Sequence, residues 1–316
     1  MTRVDAIDCG TNSIRLLVAD VPAEGAHTDL LRRMEIVRLG QGVDATGRLA
    51  PEAIERTRVV LAEYTRQARD LGVEDLRMVA TSATRDAVNR TDFEAMVLST
   101  LGRKPDVVPG LEEAELSFLG ATVSLDLAAA AHGSLPPRPP FLVVDIGGGS
   151  TEFVLGDAAG VRAAHSVDIG CVRLTERHLH SDPPPADEIA RAEADIRAAL
   201  AEVRAAVPVA DAASLVGLAG SVTTVAALAL RLPADDAEAI HGSRIAVPEV
   251  RAVTADLLAA TRARRAAMPV MHPGRVDVIG AGSLILRVLM EEFGAAEVVV
   301  SEHDILDGIA LRLARS

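Results

Sequence analysis

Two short runs in this chain set an acid, glycines and hydroxyls in the same order: DCGTNS at residues 8–13 and DIGGGST at residues 145–151, their acids 137 positions apart. Each follows an apolar run (residues 4–7 and 141–144) and precedes another (residues 14–19 and 152–155), so each reads as the turn of a β-hairpin. A turn of Gly10, Thr11, Asn12 and Ser13, or of Gly147, Gly148, Gly149 and Ser150, exposes backbone amides and hydroxyls that can wrap a phosphate. An anion cradle would seem to exclude the acid at the strand end, Asp8. A hard divalent cation such as magnesium resolves the conflict, since it takes one or two carboxylates together with substrate oxygens. The plainer alternative is that Asp8 caps the turn and its polar neighbours only satisfy the backbone. Three consecutive glycines after a buried strand are costly unless something approaches the main chain, and they are flanked by two acids, Asp145 and Glu152.

Other residues are ambiguous by type and place. Glu112 and Glu113 open a predicted helix after Pro109 and Gly110, where the helix dipole alone would favour acids. Arg15, in the first hairpin, and Arg85, just after a strand, are the basic residues best placed to meet the loops; Arg275 is a weaker candidate. The eight histidines show no metal-ligand spacing, and His303–Asp304, ahead of the last helix, reads as a cap. Gly217, Gly220, Ser221, Thr223 and Thr224, with Gly280 and Gly282, fit either a nucleoside site or close helix packing.

Between and after the two runs, strands and helices alternate. Helices are expected over residues 52–71, 92–101, 112–127 and 186–207, and strands near 76–80, 107–108 and 161–167. Two strand–glycine–helix units follow at residues 215–228 and 278–290, then a strand at 297–301 and a helix at 304–315. The proline-rich stretch at residues 128–140 breaks every period and marks a linker. The expected organisation is therefore an α/β domain over 1–128, a second over 129–302, and a C-terminal helix over 303–316 packing back on the first.

Composition narrows the function. Lys and Arg number 32 against 45 Asp and Glu, a net charge of −13, which repels nucleic acid and anionic membranes. Two cysteines without CxxC spacing exclude a disulfide framework and a zinc site and suit a reducing cytoplasm. The N-terminus has no secretory pattern. Residues 212–230 carry no charge, but glycines and hydroxyls interrupt them, so they read as buried strand, turn and helix instead of a membrane span.

Two hairpin loops on duplicated α/β halves describe the actin, sugar kinase and Hsp70 class, an RNase H-like fold duplicated in two domains. More specifically, AIDCGTNSIRLLVAD, PGLEEAELSFLGA, VVDIGGGSTEF, IGCVRLTE and GLAGSVTTVAAL resemble, in that order and across residues 4–312, the exopolyphosphatase and guanosine pentaphosphate phosphohydrolase (Ppx/GppA) family, in a short two-domain form. The resemblance implies that both loops bind phosphate and that Asp145 and Glu152 hold Mg2+. It also implies that a glutamate of the GxEEA element, Glu113 before Glu112, is the general base. The expected activity is hydrolysis of the terminal phosphate of inorganic polyphosphate, short chains favoured, by a homodimer. The alternatives are guanosine pentaphosphate as substrate, or a non-catalytic sensor of polyphosphate or alarmone. One departure matters: relatives carry a Gly-Leu-Arg-Glu-Gly-like element near the C-terminus, whereas this chain has DILDG, with Leu306 in the arginine's place.

Overall fold

A hairpin-first sheet forms the centre of each half. The computed structural model describes residues 1–22, 27–73 and 75–315, which divide into one unit of residues 1–123 and 304–316 and another of residues 124–303. In the first unit β1 (Thr2–Cys9), β2 (Ser13–Val21) and β3 (Thr28–Ile36) run antiparallel, while β4 (Asp75–Ala80) and β5 (Asp106–Val107) continue the sheet in parallel, giving the order β3-β2-β1-β4-β5. Its helices are α1 (Val43–Thr46), α2 (Pro51–Asp70), α3 (Ser82–Asp86), α4 (Arg90–Leu101) and α5 (Gly110–Thr122).

The second unit begins with α6 (Leu125–Ala131) and repeats the plan: β6 (Phe141–Ile146), β7 (Thr151–Asp157) and β8 (Gly160–Val167) are antiparallel, and β9 (Ser214–Leu218) and β11 (Glu297–Val300) lie parallel to β6. β10 (Arg244–Ala246) adds an antiparallel edge, making the order β10-β11-β9-β6-β7-β8. Its other helices are α7 (Cys171–His178), α8 (Ala186–Ala206), α9 (Ala219–Ala229), α10 (Ala237–Ile240), α11 (Val247–Ala259), α12 (Arg262–Ala266) and α13 (Ile279–Phe293). The chain then re-enters the first unit as α14 (Ile305–Leu313).

Strand alternation assigns each face of the first sheet. Ile7 and Cys9 join Leu61 and Tyr64 of α2 and Phe93 of α4 in one core, while Val4 and Ala6 face Leu116 of α5 and Ile309 of α14 in another. Asp8 falls on the α5 and α14 side by the same parity. Helices α5 and α14 cross closely, for a Cβ on Gly120 would lie 1.8 Å from the Asp304 carbonyl oxygen. The second unit has one large core that includes Phe153, Val222, Ile285 and Val300.

The single helix expected over residues 112–127 is two. It breaks between α5 and α6 because the Ser124 hydroxyl is drawn to His303 Nδ1 (2.7 Å) and His241 Nε2 (3.0 Å), and the division between units falls there. Residues 212–230 hold β9 and α9, a strand running into a helix, as the glycines and hydroxyls suggested. Residues Gly110–Ala131 are long and apolar enough to cross a bilayer, but more than half of their most apolar window is buried.

Candidate active site

Each hairpin turn is closed by the same bond. Gly10 donates its amide to the Ser13 carbonyl (2.9 Å), and Gly147 does so to Ser150 (3.0 Å). Neighbouring segments then occupy the outward carbonyls. Gly40 donates to Thr11, Val37 and Arg38 to Asn12; in the second unit Cys171 donates to Gly147, and Val172 and Arg173 to Gly148. Among the described residues no acceptor is bonded to the amides of Thr11, Asn12, Gly148 or Gly149. Carbonyls turned away and amides left unbonded are the pattern that a backbone anion nest requires, and both loops have it.

The second loop rests on the start of α7. A Cβ on Gly170 would sit 2.3 Å from the Gly148 carbonyl oxygen, so only glycine lets these backbones meet. Arg173 reinforces the contact, its Nε donating to the Gly149 carbonyl (2.7 Å). Sequence reasoning missed Arg173, although it lies in IGCVRLTE; a cation three residues after a glycine was the available signal.

The acids stand at the strand ends. Asp145 and Glu152 are directly opposite on β6 and β7, both buried, and the Ser166 hydroxyl donates to Glu152 Oε1 (2.7 Å). Asp8 is directly opposite Arg15 on β1 and β2, and Arg15 donates to its Oδ2 through Nη2 (2.6 Å) and Nε (3.1 Å). Asp8 Oδ1 is buried with no hydrogen-bond partner. Burial raises the Asp8 pKa, Arg15 opposes the rise, and Asp304 adds to it. The neighbouring Cys9 thiol is pushed well up by burial and by Asp8, which makes it inert.

Glu112 and Glu113 part company in the first turn of α5. Glu112 is half-buried and pairs with Arg77 (2.7 Å) and Arg312 (3.8 Å). Glu113 is buried, and Arg85 Nη1 donates both to its Oε2 (3.0 Å) and to the Val108 carbonyl (3.1 Å). Arg85 therefore stands beside the glutamate. Asp304 caps α14 as expected, accepting from the Leu306 amide (2.9 Å), and it also binds Arg15, which the sequence did not signal.

The later glycines serve packing. The Arg275 guanidinium lies where a Cβ on Gly220 would be and donates to Thr224 Oγ1 (3.2 Å), and Ser221 with Cys171 fills the space over Gly282. These glycines are thus accounted for by close packing within the unit. Among the described residues no group of three or more His, Cys, Asp or Glu lies close enough together to hold a metal ion by itself.

Two sheets on one hairpin-first plan, each with an acid at a strand end and an anion nest at its turn, define an actin-like α/β protein of two domains. The chain belongs to the Ppx/GppA phosphatase family, whose model matches residues 17–316. It is 52% identical to Exopolyphosphatase 2 of Mycobacterium tuberculosis, an alignment covering 99% of each chain. The crystal structure of an exopolyphosphatase-like protein matches it with a TM-score of 0.92 at 41% identity, over 98% of this chain and 97% of that one. A guanosine-5'-triphosphate,3'-diphosphate pyrophosphatase of Photobacterium profundum is 35% identical over 174 residues, 55% of this chain and 33% of that protein.

Proposed function

We propose that this protein is an exopolyphosphatase, which hydrolyses the terminal phosphoanhydride of inorganic polyphosphate. The observation that carries the reading is the pair of unbonded amide nests, each beside a buried acid, in a chain similar along its whole length to a named exopolyphosphatase. The nests take phosphate oxygens by backbone donation. Glu113 accepts a proton from water as the water oxygen attacks the terminal phosphorus; the bridging P–O bond breaks, its electron pair leaves with the shortened chain, and inorganic phosphate is released. Arg85 fixes the orientation of the Glu113 carboxylate.

Magnesium fits the residues present. Asp8 leaves a buried oxygen without a partner, and Asp145 faces Glu152 across one strand pair, the small hard-oxygen set that this ion prefers. Asp145 and Glu152 would hold an ion at the second loop, and Asp8 Oδ1 would offer a ligand oxygen to one at the first loop; a bound ion would neutralise charge on the transferring phosphoryl group. Guanosine pentaphosphate is the second reading: the guanosine-5'-triphosphate,3'-diphosphate pyrophosphatase matches only 55% of this chain, and the glycines considered for a nucleoside are accounted for by packing. The reading includes a homodimer in a reducing cytoplasm, consistent with two free, buried cysteines.

Chelation is expected to abolish phosphate release, and Asp145→Ala to remove nearly all of it while circular dichroism shows the fold intact. Full activity of folded Asp145→Ala in magnesium would overturn the metal assignment.

A further inference from the structure

The Asp8–Arg15 pair is local to one hairpin, the two residues lying directly opposite on β1 and β2. Asp304 reaches the same guanidinium from the other end of the chain, where α14 begins in the same unit. It is nearly buried, and its two oxygens divide their work. Oδ1 accepts from the Leu306 amide as the helix cap, which fixes Oδ2 on Arg15 Nη1.

The consequence appears at Asp8. An arginine fork usually grips both oxygens of a carboxylate. Here Nε and Nη2 both go to Oδ2, Nη1 is held by Asp304, and Asp8 Oδ1 remains bare. The arginine that the C-terminal element would have supplied is Leu306, buried in the apolar core between β1, α5 and α14.

We propose that Asp304 is a positioning residue for the first loop: it holds Arg15 against Asp8 and withholds that guanidinium from the substrate's phosphates. The proposal rests on polyphosphate being the ligand of this loop. It marks a site where the chain gives up affinity at the entrance to its first nest. Relieving that restraint should tighten binding without touching the base or the second loop.

The test is a double-mutant cycle read by calorimetry with tripolyphosphate in EDTA, which separates binding from turnover. Asp304→Asn keeps a good helix cap and loses the charge, so it should fold as the wild type does, with a thermal midpoint lowered only by the lost ion pair. Its dissociation constant should fall on the order of threefold to tenfold, the scale of one additional charge-assisted hydrogen bond. KM with magnesium should fall more than kcat changes. In an Arg15→Gln background the same substitution should have no effect on binding. Asp304→Ser, which also caps, supplies the result if the asparagine variant does not fold. Unchanged or weaker binding in Asp304→Asn, or equal tightening with Arg15→Gln present, would overturn the positioning role. Wild-type protein that neither binds tripolyphosphate nor hydrolyses polyphosphate would overturn the functional reading and this inference with it.

Discussion

Glu112 and Glu113 are adjacent in the sequence, yet one helical step of about 100° turns the first outward to Arg77 and the second into the protein beside Arg85. Glu113→Gln keeps the size and hydrogen bonding of the side chain but cannot accept a proton, so kcat should fall by roughly 10² to 10⁴ while tripolyphosphate binding survives. Glu112→Gln should change kcat little, since it removes only a half-exposed ion pair; the larger fall in that variant would reverse the assignment. No local feature of the sequence separates the two, because the dipole argument applies equally to both. Asp5 was equally invisible, lying in an ordinary strand run. It is fully buried on the Ile7 face of β1, neither oxygen has a hydrogen-bond partner among the described residues, and burial pushes its pKa up to about 8. The folded protein therefore holds a proton that the unfolded chain releases above its ordinary value of 3.8. Stability from this group is complete below that value and is lost as pH rises toward about 8, at a slope near 1.4 kcal/mol per pH unit between. Denaturant titrations from about pH 5 to 8 should show the decline in the wild type and a flatter curve in Asp5→Asn; equal slopes would contradict a neutral buried Asp5.

At the scale of elements, the two hairpins were legible because glycines and hydroxyls sit between clean apolar strands, and their closing bonds are equivalent in the structure. Strand β3 was not, for Arg32, Arg33 and Glu35 spoil its alternation; it survives as an edge paired to β2 along its length. Helix α7 was also missed, being eight residues long, and it is the element that buttresses the second loop. That buttress predicts a specific cost. In Gly170→Ala the new Cβ meets the Gly148 carbonyl and the Gly149 amide nitrogen, 2.3 and 2.6 Å away, which are backbone atoms that cannot rotate aside. Stability should fall by about 1–3 kcal/mol, and the displaced nest should raise KM more than roughly tenfold. Urea unfolding and steady-state kinetics check the two effects separately, and an unchanged KM would deny the loop its part in binding. The last helix shows the limit of pattern reading most plainly: a dipeptide that reads as a cap does cap, and its second oxygen binds an arginine 289 positions away, a long-range contact that spacing cannot reveal.

For the whole molecule, the repeated acid–glycine–hydroxyl run was enough to foresee two similar sheets, because each copy needs the same hairpin and the same parallel neighbour to hold it. The chain returns to the first unit as α14, and the break at Val123 and Ser124 was not legible, since the histidines that bond Ser124 lie more than a hundred positions away. Net charge acts at this scale too. A protein of −13 attracts polyphosphate only where amides, arginines or a cation face it, so each phosphate beyond the loops meets repulsion that salt screens. The most direct measurement is phosphate release, with magnesium and with chelator, from polyphosphates of a few, tens and hundreds of units, from guanosine pentaphosphate and from ATP, at two ionic strengths. The account predicts magnesium-dependent release from polyphosphate well above that from either nucleotide, with kcat/KM flat or falling as chains lengthen and the fall relieved by salt. Faster release from guanosine pentaphosphate, or no release from polyphosphate, would contradict the exopolyphosphatase reading; a steep rise with length would contradict the short-chain preference and point to a basic groove shared by two copies.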